Sequence, residues 1–146
     1  MKNTFILLII MAFATACGSP KTPVPVSEQI GKIWSASVVK ENNSTVFTKG
    51  ATTNIRSGYT SFRLDLSTTG TVRFTDLDGT TFVGTWAVSG DQKTLTLSGL
   101  TPQPTGSNGT ITFTITSITD TTLTLTRTNT SPKTGNTINV YELVVG

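Results

Sequence analysis

From about residue 30 to the C-terminus apolar and polar residues alternate one for one, and no stretch of ten carries apolar side chains at helical spacing. Phe62, Leu64 and Leu66 alternate with Arg63 and Asp65, Val72 and Phe74 with Thr71, Arg73 and Thr75, and Leu95 and Leu97 with Thr94 and Thr96. The same beat runs through Ile111, Phe113 and Ile115 against Thr110, Thr112 and Thr114, then Leu123 and Leu125 against Thr122, Thr124 and Thr126. Successive side chains of an extended backbone point to opposite faces, so each segment is a strand with one apolar and one wetted face, the antiparallel signature. Threonine, about a fifth of the chain, supplies the wetted face: its β-branch favours extended backbone and its hydroxyl keeps the surface soluble without charge.

Turn signals separate these segments at short intervals: Thr69-Gly70, Asp78-Gly79, Ser89-Gly90-Asp91, Asn108-Gly109, Thr119-Asp120-Thr121 and Thr134-Gly135-Asn136. The pattern predicts nine strands, at 32–40, 45–48, 61–67, 71–76, 82–88, 94–98, 110–117, 122–129 and 137–144, with 50–58 as a loop or short helix. Hairpins joined in sequence leave an edge problem, because an open sheet presents unpaired amides to solvent. The expected fold class is therefore all-β, an antiparallel up-and-down meander of eight or nine strands closing into a barrel, with a two-sheet sandwich as the alternative.

The N-terminus sets an address. Residues 5–14 form an apolar run of about ten, short of the ~20 that span a bilayer and suited to the h-region of a secretory signal, with Lys2 as its positive start. Ala14-Thr15-Ala16-Cys17, followed by Gly18 and Ser19, resembles the lipobox of bacterial lipoproteins. That resemblance implies a signal peptide at 1–16, cleavage before Cys17, and a diacylglycerol (with palmitate-type acyl chains) on the thiol of Cys17. Two or three acyl chains hold a protein on a membrane where one does not. Position 18 carries no Asp, which by the same resemblance points to the cell outer membrane. Residues 17–29 then read as the lipidated cysteine and a Pro-rich tether, and 30–146 as the folded domain.

The chemistry available to that domain is narrow. The chain has no histidine, and its single cysteine is the anchor, so serine-hydrolase, thiol-protease and zinc sites lack their parts. Two carboxylates about 5 to 9.5 Å apart would suffice for glycoside hydrolysis, and Asp65 and Asp76 are the best-placed pair. Cross-strand pairing with Arg63 and Arg73 on a solvated face accounts for all four without catalysis. Asp76, Asp78 and Asp120 fit turn-capping better than calcium, since the Asp76-Leu77-Asp78-Gly79 run lacks the later ligands of a calcium loop. A net charge of +3 from scattered Lys and Arg makes no basic patch for nucleic acid. No enzyme activity, metal or cofactor is expected.

Ile30-Gly31-Lys32-Ile33-Trp34, the strand of Phe62, Leu64 and Leu66, Phe82-Val83-Gly84-Thr85-Trp86 leading to Leu95-Thr96-Leu97, and the closing pair Leu123-Thr124-Leu125-Thr126 and Tyr141-Glu142-Leu143 together resemble the lipocalin-like lipoprotein domains of Bacteroidota. The resemblance covers nearly the whole domain and implies a lipocalin-like β-barrel. It also implies that a late-strand arginine, here Arg127, packs over the first-strand Trp34, although Gly31 and Trp34 are one residue further apart than in true lipocalins.

In such a barrel Phe62, Phe74, Phe82, Trp86, Phe113 and Tyr141 line the interior, with Trp34 near one end. The expected function is a non-catalytic binding module of the bacterial envelope that takes a small apolar ligand on these residues. The alternative is a structural or partner-binding module whose core is filled and whose loops, 54–59 among them, engage an envelope protein. The membrane, through the lipid anchor, is the remaining expected partner.

Overall fold

A computed structural model describes residues 23–146. The expected signal peptide, Cys17 and the first part of the tether lie outside the described residues. A single helical turn, α1 (Val26–Gln29), leads into nine strands: β1 (Ile33–Glu41), β2 (Ser44–Thr48), β3 (Arg63–Asp65), β4 (Thr71–Thr75), β5 (Thr81–Val88), β6 (Thr94–Thr101), β7 (Ile111–Ile118), β8 (Thr122–Arg127) and β9 (Asn139–Val145).

All neighbouring strands are antiparallel, in the order β2-β1-β3-β4-β5-β6-β7-β8-β9, and β1 also pairs β9. That last pairing runs from Trp34 opposite Val145 to Glu41 opposite Asn139, and it closes eight strands into a barrel rather than a sandwich. The other edge of β1 is shared, by β3 at Ile33–Ser35 and by β2 at Val38–Glu41. β2 is the extra strand. It returns from β1 through Asn42 and Asn43, both at positive φ (45° and 69°), the two-residue turn whose twist suits a hairpin.

The outer edge of β2 is covered by its own loop. The Asn54 side chain accepts from the Thr48 amide at 2.7 Å and donates to the Thr48 carbonyl at 3.1 Å, and the Arg56 amide bonds the Val46 carbonyl at 3.0 Å. An edge so capped offers no template for another strand.

Two local departures follow from sterics. Gly84 sits at an irregularity between β5 and β6, and a Cβ there would run into the Ser98 carbonyl oxygen, so the close approach of the two strands requires glycine. Gly99 takes φ +61° and resets the alternation, which brings Leu100 inward. Strand β6 thus continues to Thr101, past the expected end at residue 98. The third strand is shorter than expected, because a 3-10 turn at Ser57–Ser61 takes its first residue and leaves only Arg63–Asp65 paired. The end of the expected tether is also structured: α1 packs against β5, and the Val26 amide bonds the Gln92 side chain at 2.8 Å.

The inward positions make one apolar core, and its two halves differ. Around the end where β1 begins, here the closed end, lie Ile30, Trp34, Leu66, Val72, Trp86, Leu95, Leu123 and Leu143, all buried. Towards the opposite end, the mouth, lie Phe62, Phe74, Phe82, Phe113 and Tyr141, and beyond them the buried polar side chains Glu41, Asp76, Arg127 and Asn139.

Candidate functional site

The seven residues expected to line the interior, Trp34, Phe62, Phe74, Phe82, Trp86, Phe113 and Tyr141, all point inward and are buried. Their rings meet one another. Phe62 stacks on Tyr141 with centroids 4.8 Å apart and meets Phe74 edge-on at 5.5 Å, Phe74 stacks on Phe82 at 5.7 Å, and Phe113 meets Tyr141 edge-on at 6.0 Å. Contacts of this kind contribute about 0.5–1.5 kcal/mol each beyond the area they bury. The mouth half of the barrel is thereby occupied by side chains.

At the closed end the two indoles are anchored as well as packed. Trp34 Nε1 donates to the Ile30 carbonyl at 2.8 Å, and Trp86 Nε1 to the Thr68 carbonyl at 3.0 Å. The cation over Trp34 is Lys32, whose Nζ lies 5.8 Å from the ring centroid. Arg127 does not take that place, contrary to expectation. It follows Thr126, which pairs with Val140 at the mouth end of β9, whereas Trp34 pairs with Val145 at the other end. At ~3.3 Å per residue the two side chains stem from points more than about 15 Å apart along the sheet.

The mouth is closed by a side chain from the loop between β2 and β3. Tyr59, in the 3-10 turn, is fully buried, with its ring among Phe47, Phe62 and Tyr141 at 6.1 to 6.4 Å between centroids. Its hydroxyl donates to Glu41 at 3.0 Å and accepts from Asn139 Nδ2 at 3.3 Å, and the same amide nitrogen reaches the Tyr141 hydroxyl at 3.2 Å. Arg56 Nε meets both Glu41 oxygens, at 2.8 and 2.9 Å. Asn139 in turn accepts from Thr137 at 2.6 Å and Thr134 at 3.3 Å. Gly58 lets this turn lie against the β4–β5 connection, since a Cβ there would collide with the Leu77 carbonyl oxygen. The loop expected to be a free partner-binding surface at 54–59 is therefore partly internal: Tyr59 plugs the barrel, and Asn54 caps β2.

Burial raises the pKa of both tyrosines. Tyr141 is pushed up to about 12, first by desolvation and then by the Asp76 charge, against lowering by Asn139 and Arg127. Tyr59 is raised further, by desolvation first, then by Tyr141 and Glu41.

Asp65 and Asp76 do not share a face of the sheet. Asp65 lies opposite Arg73 on the outer face and accepts from Ser67 at 2.6 Å. Asp76 is buried at the mouth on the inner parity of β4, and its partner is Lys133, not an arginine, at 3.3 Å. Lys133 also meets Asp78 at 2.8 Å and lies 5.2 Å from the Phe82 ring centroid. An ammonium thus holds the two aspartates that a calcium loop would have turned on a metal. Among the described residues no cluster of His, Cys, Asp and Glu is placed to hold one.

The surface of the described residues has several hollows. One of about 470 Å³ lies at the closed end between α1 and the β4–β5 side, with Gly31, Leu66, Gly70 and Trp86 in its wall. One of about 430 Å³ lies on the other side of α1, against Lys32 and Asp120. A third, of about 180 Å³, marks the gap on β1 between β2 and β3.

Glu41 and Asn139 are absent from the sequence-based set, which also placed Tyr59 on a partner-binding loop and Arg127 over Trp34, not at the mouth. For Arg127 and Asn139 the signal was parity: each continues the inward beat of Leu123 and Leu125, or of Tyr141 and Leu143. Polar side chains at those positions read as strand ends, not as the lining of a mouth.

A closed eight-stranded meander with a turn of helix across one end and a plugged mouth has a matching family model, described as a lipocalin-like domain, over residues 30–125. The chain belongs to the lipocalin-like domain family. Its lipocalin-like barrel is similar to the crystal structure of a lipocalin-like protein from Bacteroides uniformis ATCC 8492, at 14% identity and a TM-score of 0.51, with 81% of this chain and 99% of that one covered. A crystal structure of an uncharacterized protein from Bacteroides eggerthii DSM 20697 aligns at 13% identity and a TM-score of 0.47, covering 79% of this chain and 98% of the other. No curated protein sequence matches the chain.

Proposed function

We propose that this lipocalin-like domain is a non-catalytic module of the bacterial envelope whose barrel is a filled scaffold and whose work is done by its surface, on a protein partner. The observation that carries this reading is the unbroken ring contact from Phe82 through Phe74 and Phe62 to Tyr141 and Phe113, roofed by Tyr59. Interiors pack to crystal density, and side chains in mutual contact leave the mouth half without room for an apolar ligand of the size lipocalin-like barrels commonly take. The separation of Asp65 and Asp76 onto opposite faces supports the absence of a hydrolytic pair.

The envelope address rests on Lys2, the apolar run and Ala14-Thr15-Ala16-Cys17. Lipidation of Cys17 would hold the domain at the membrane, with α1 and the closed end nearest the anchor in sequence. Metabolic labelling with a palmitate analogue tests it: Cys17→Ser abolishes the label, and a label that persists removes the anchor from the reading.

The scaffold reading is tested on the full-length protein by native mass spectrometry after mild detergent extraction. The expected domain mass carries no small molecule beyond the anchor lipid, and one protein co-purifies in fixed stoichiometry. A reproducible apolar adduct lost on Phe62→Trp would instead make the barrel a carrier.

A further inference from the structure

The outer wall of the barrel is interrupted where β2 and β3 share one edge of β1. The pairing of β1 with β3 ends at Ser35 opposite Arg63, and its pairing with β2 begins at Val38 opposite Thr48. Neither strand spans the step between, and the hollow of about 180 Å³ opens there, with Ser35 and Arg63 at outward positions. Its rim is fixed by local bonds. The Lys49 amide bonds the Ser37 carbonyl at 2.7 Å, Gly50 turns the chain at φ 81°, and Asn54 ties the returning loop to Thr48 at 2.7 and 3.1 Å. On the β3 side the Thr60 hydroxyl donates to the Ser57 carbonyl at 2.8 Å, and the buried Phe47 contributes to the wall.

Two cations and no carboxylate line this hollow. The cations are Lys49 and Arg63, and neither forms a salt bridge with any described residue, whereas Lys40, Arg56 and Lys133 all do. The acid nearest Arg63 along β3 is Asp65. Its Oδ1 is taken by the amide and the hydroxyl of Ser67, at 3.0 and 2.6 Å, and Arg73 faces it across the β3–β4 ladder. Gly146 stands beside Ser35 and Arg63 without an ion pair. Two like charges on one small hollow repel, and an anion between them reverses the sign of both interactions. A guanidinium brings a planar fork, an ammonium brings a compact charge with three rotatable donors, and the Ser35 hydroxyl adds one more donor. That set suits a group with three free oxygens and close to two negative charges. A carboxylate, with two oxygens and one charge, leaves one cation unmatched.

We propose that Lys49, Arg63 and Ser35 form a site on the outer wall of the barrel for the phosphate group of a phosphate monoester. A hollow of this size holds the phosphate and leaves the body that carries it in solvent, so the same chemistry fits a water-soluble ester and a lipid headgroup ending in phosphate. The site lies outside the barrel, is independent of the partner-binding role above, and stands or falls separately.

The test is a titration of the full chain, ¹⁵N-labelled and at constant ionic strength, with glycerol 3-phosphate, acetate and dihexanoyl phosphatidic acid. The Gly50 and Ala51 amides and the Arg63 Nε–Hε resonance are the readout. Glycerol 3-phosphate is expected to shift them saturably, with half-saturation at about 1 mM, and acetate to leave them in place at about ten times that concentration. Lys49→Gln and Arg63→Gln, both at exposed positions, each weaken binding about tenfold, followed on the two amides. Lys93→Gln, an exposed cation outside the hollow, leaves it unchanged. Phosphatidic acid binding at least tenfold tighter than glycerol 3-phosphate assigns the phosphate to a lipid, and equal binding assigns it to a water-soluble ester; either result upholds the site. No saturable shift with glycerol 3-phosphate, an equal response to acetate, or a loss in Lys93→Gln equal to those in Lys49→Gln and Arg63→Gln each overturns the proposal.

Discussion

Tyr59 donates its hydroxyl proton to Glu41 at 3.0 Å, across a gap of eighteen residues in the chain and from the 3-10 turn Ser57–Ser61. The ring and the hydroxyl do separable work. Tyr59→Ala removes a fully buried ring that touches Phe47, Phe62 and Tyr141, so a loss of about 3–5 kcal/mol is expected in urea unfolding. Tyr59→Phe keeps the ring, and Glu41 keeps Arg56, so about 1 kcal/mol is expected. Equal losses from the two variants would show that the ring is not a plug.

The alkaline limb of stability belongs to the same pair of rings. The chain has two tyrosines, Tyr59 and Tyr141, and both are buried with raised pKa. A raised folded-state pKa contributes stability that is complete below the unfolded value of 10.0 and is lost as pH rises towards the folded value, about 12 for Tyr141. Absorbance at 295 nm should therefore show no phenolate step near pH 10, and a single step at higher pH that coincides with loss of near-ultraviolet circular dichroism. A separate step near pH 10 in the folded protein would place one tyrosine in solvent.

The strands were legible because each buries one face: all nine expected segments overlap an observed strand, and the edge argument led to closure. What escaped the reading are places where the two-residue beat fails for a tertiary reason. Gly99 shifts the phase of β6, and the 3-10 turn shortens β3 to Arg63–Asp65. The first shows only as Leu97 and Leu100 standing three apart across a glycine, and the second leaves no mark that alternation can register. The site was legible in its apolar half and not in its polar half. Phe62, Phe74, Phe113 and Tyr141 announce burial by type, whereas Glu41, Arg127 and Asn139 are buried only because they face partners, or a mouth, brought together from distant segments. Lys133 was similarly invisible, as a lysine in a turn whose role is set by Asp76 and Asp78, more than fifty residues away.

The two glycine-tryptophan motifs should respond differently to the same change. At Gly84 a Cβ would collide with the Ser98 carbonyl oxygen, so Gly84→Ala forces β5 and β6 apart and is expected to cost more than about 2 kcal/mol. At Gly31 the nearest atom to an added Cβ is the Glu28 carbonyl oxygen at 3.5 Å, an ordinary contact at negative φ. Gly31→Ala is expected to be neutral, or to stabilise by about 0.4–1 kcal/mol through the unfolded chain. Urea unfolding followed by Trp34 and Trp86 emission reads both, and the reverse order would mean that the β5–β6 irregularity yields easily.

Lys133 allows a charge balance to be measured inside the mouth. Its ammonium lies 2.8 Å from Asp78, which is exposed, and 3.3 Å from Asp76, which is buried. The hydrogen bond from Lys133 is the main cause of the Asp78 pKa falling from 3.8 to about 2. A depressed folded-state value contributes stability that is present above the unfolded pKa and disappears as pH falls through the folded one, here between about pH 4 and pH 2. Because Asp78 is solvated, screening keeps that contribution under about 1 kcal/mol. Asp78→Asn should thus cost little at pH 7 and flatten the acid limb, leaving Lys133 with Asp76. Lys133→Met is the severe change, since it strips Asp76 of its cation in a buried setting, and about 2–4 kcal/mol is expected at pH 7. Adding Asp76→Asn to Lys133→Met should recover a large part of the loss, because the uncompensated charge goes with it. A double variant no more stable than Lys133→Met would show that the lysine acts through its contact with the Phe82 ring, and that the ion pair is incidental.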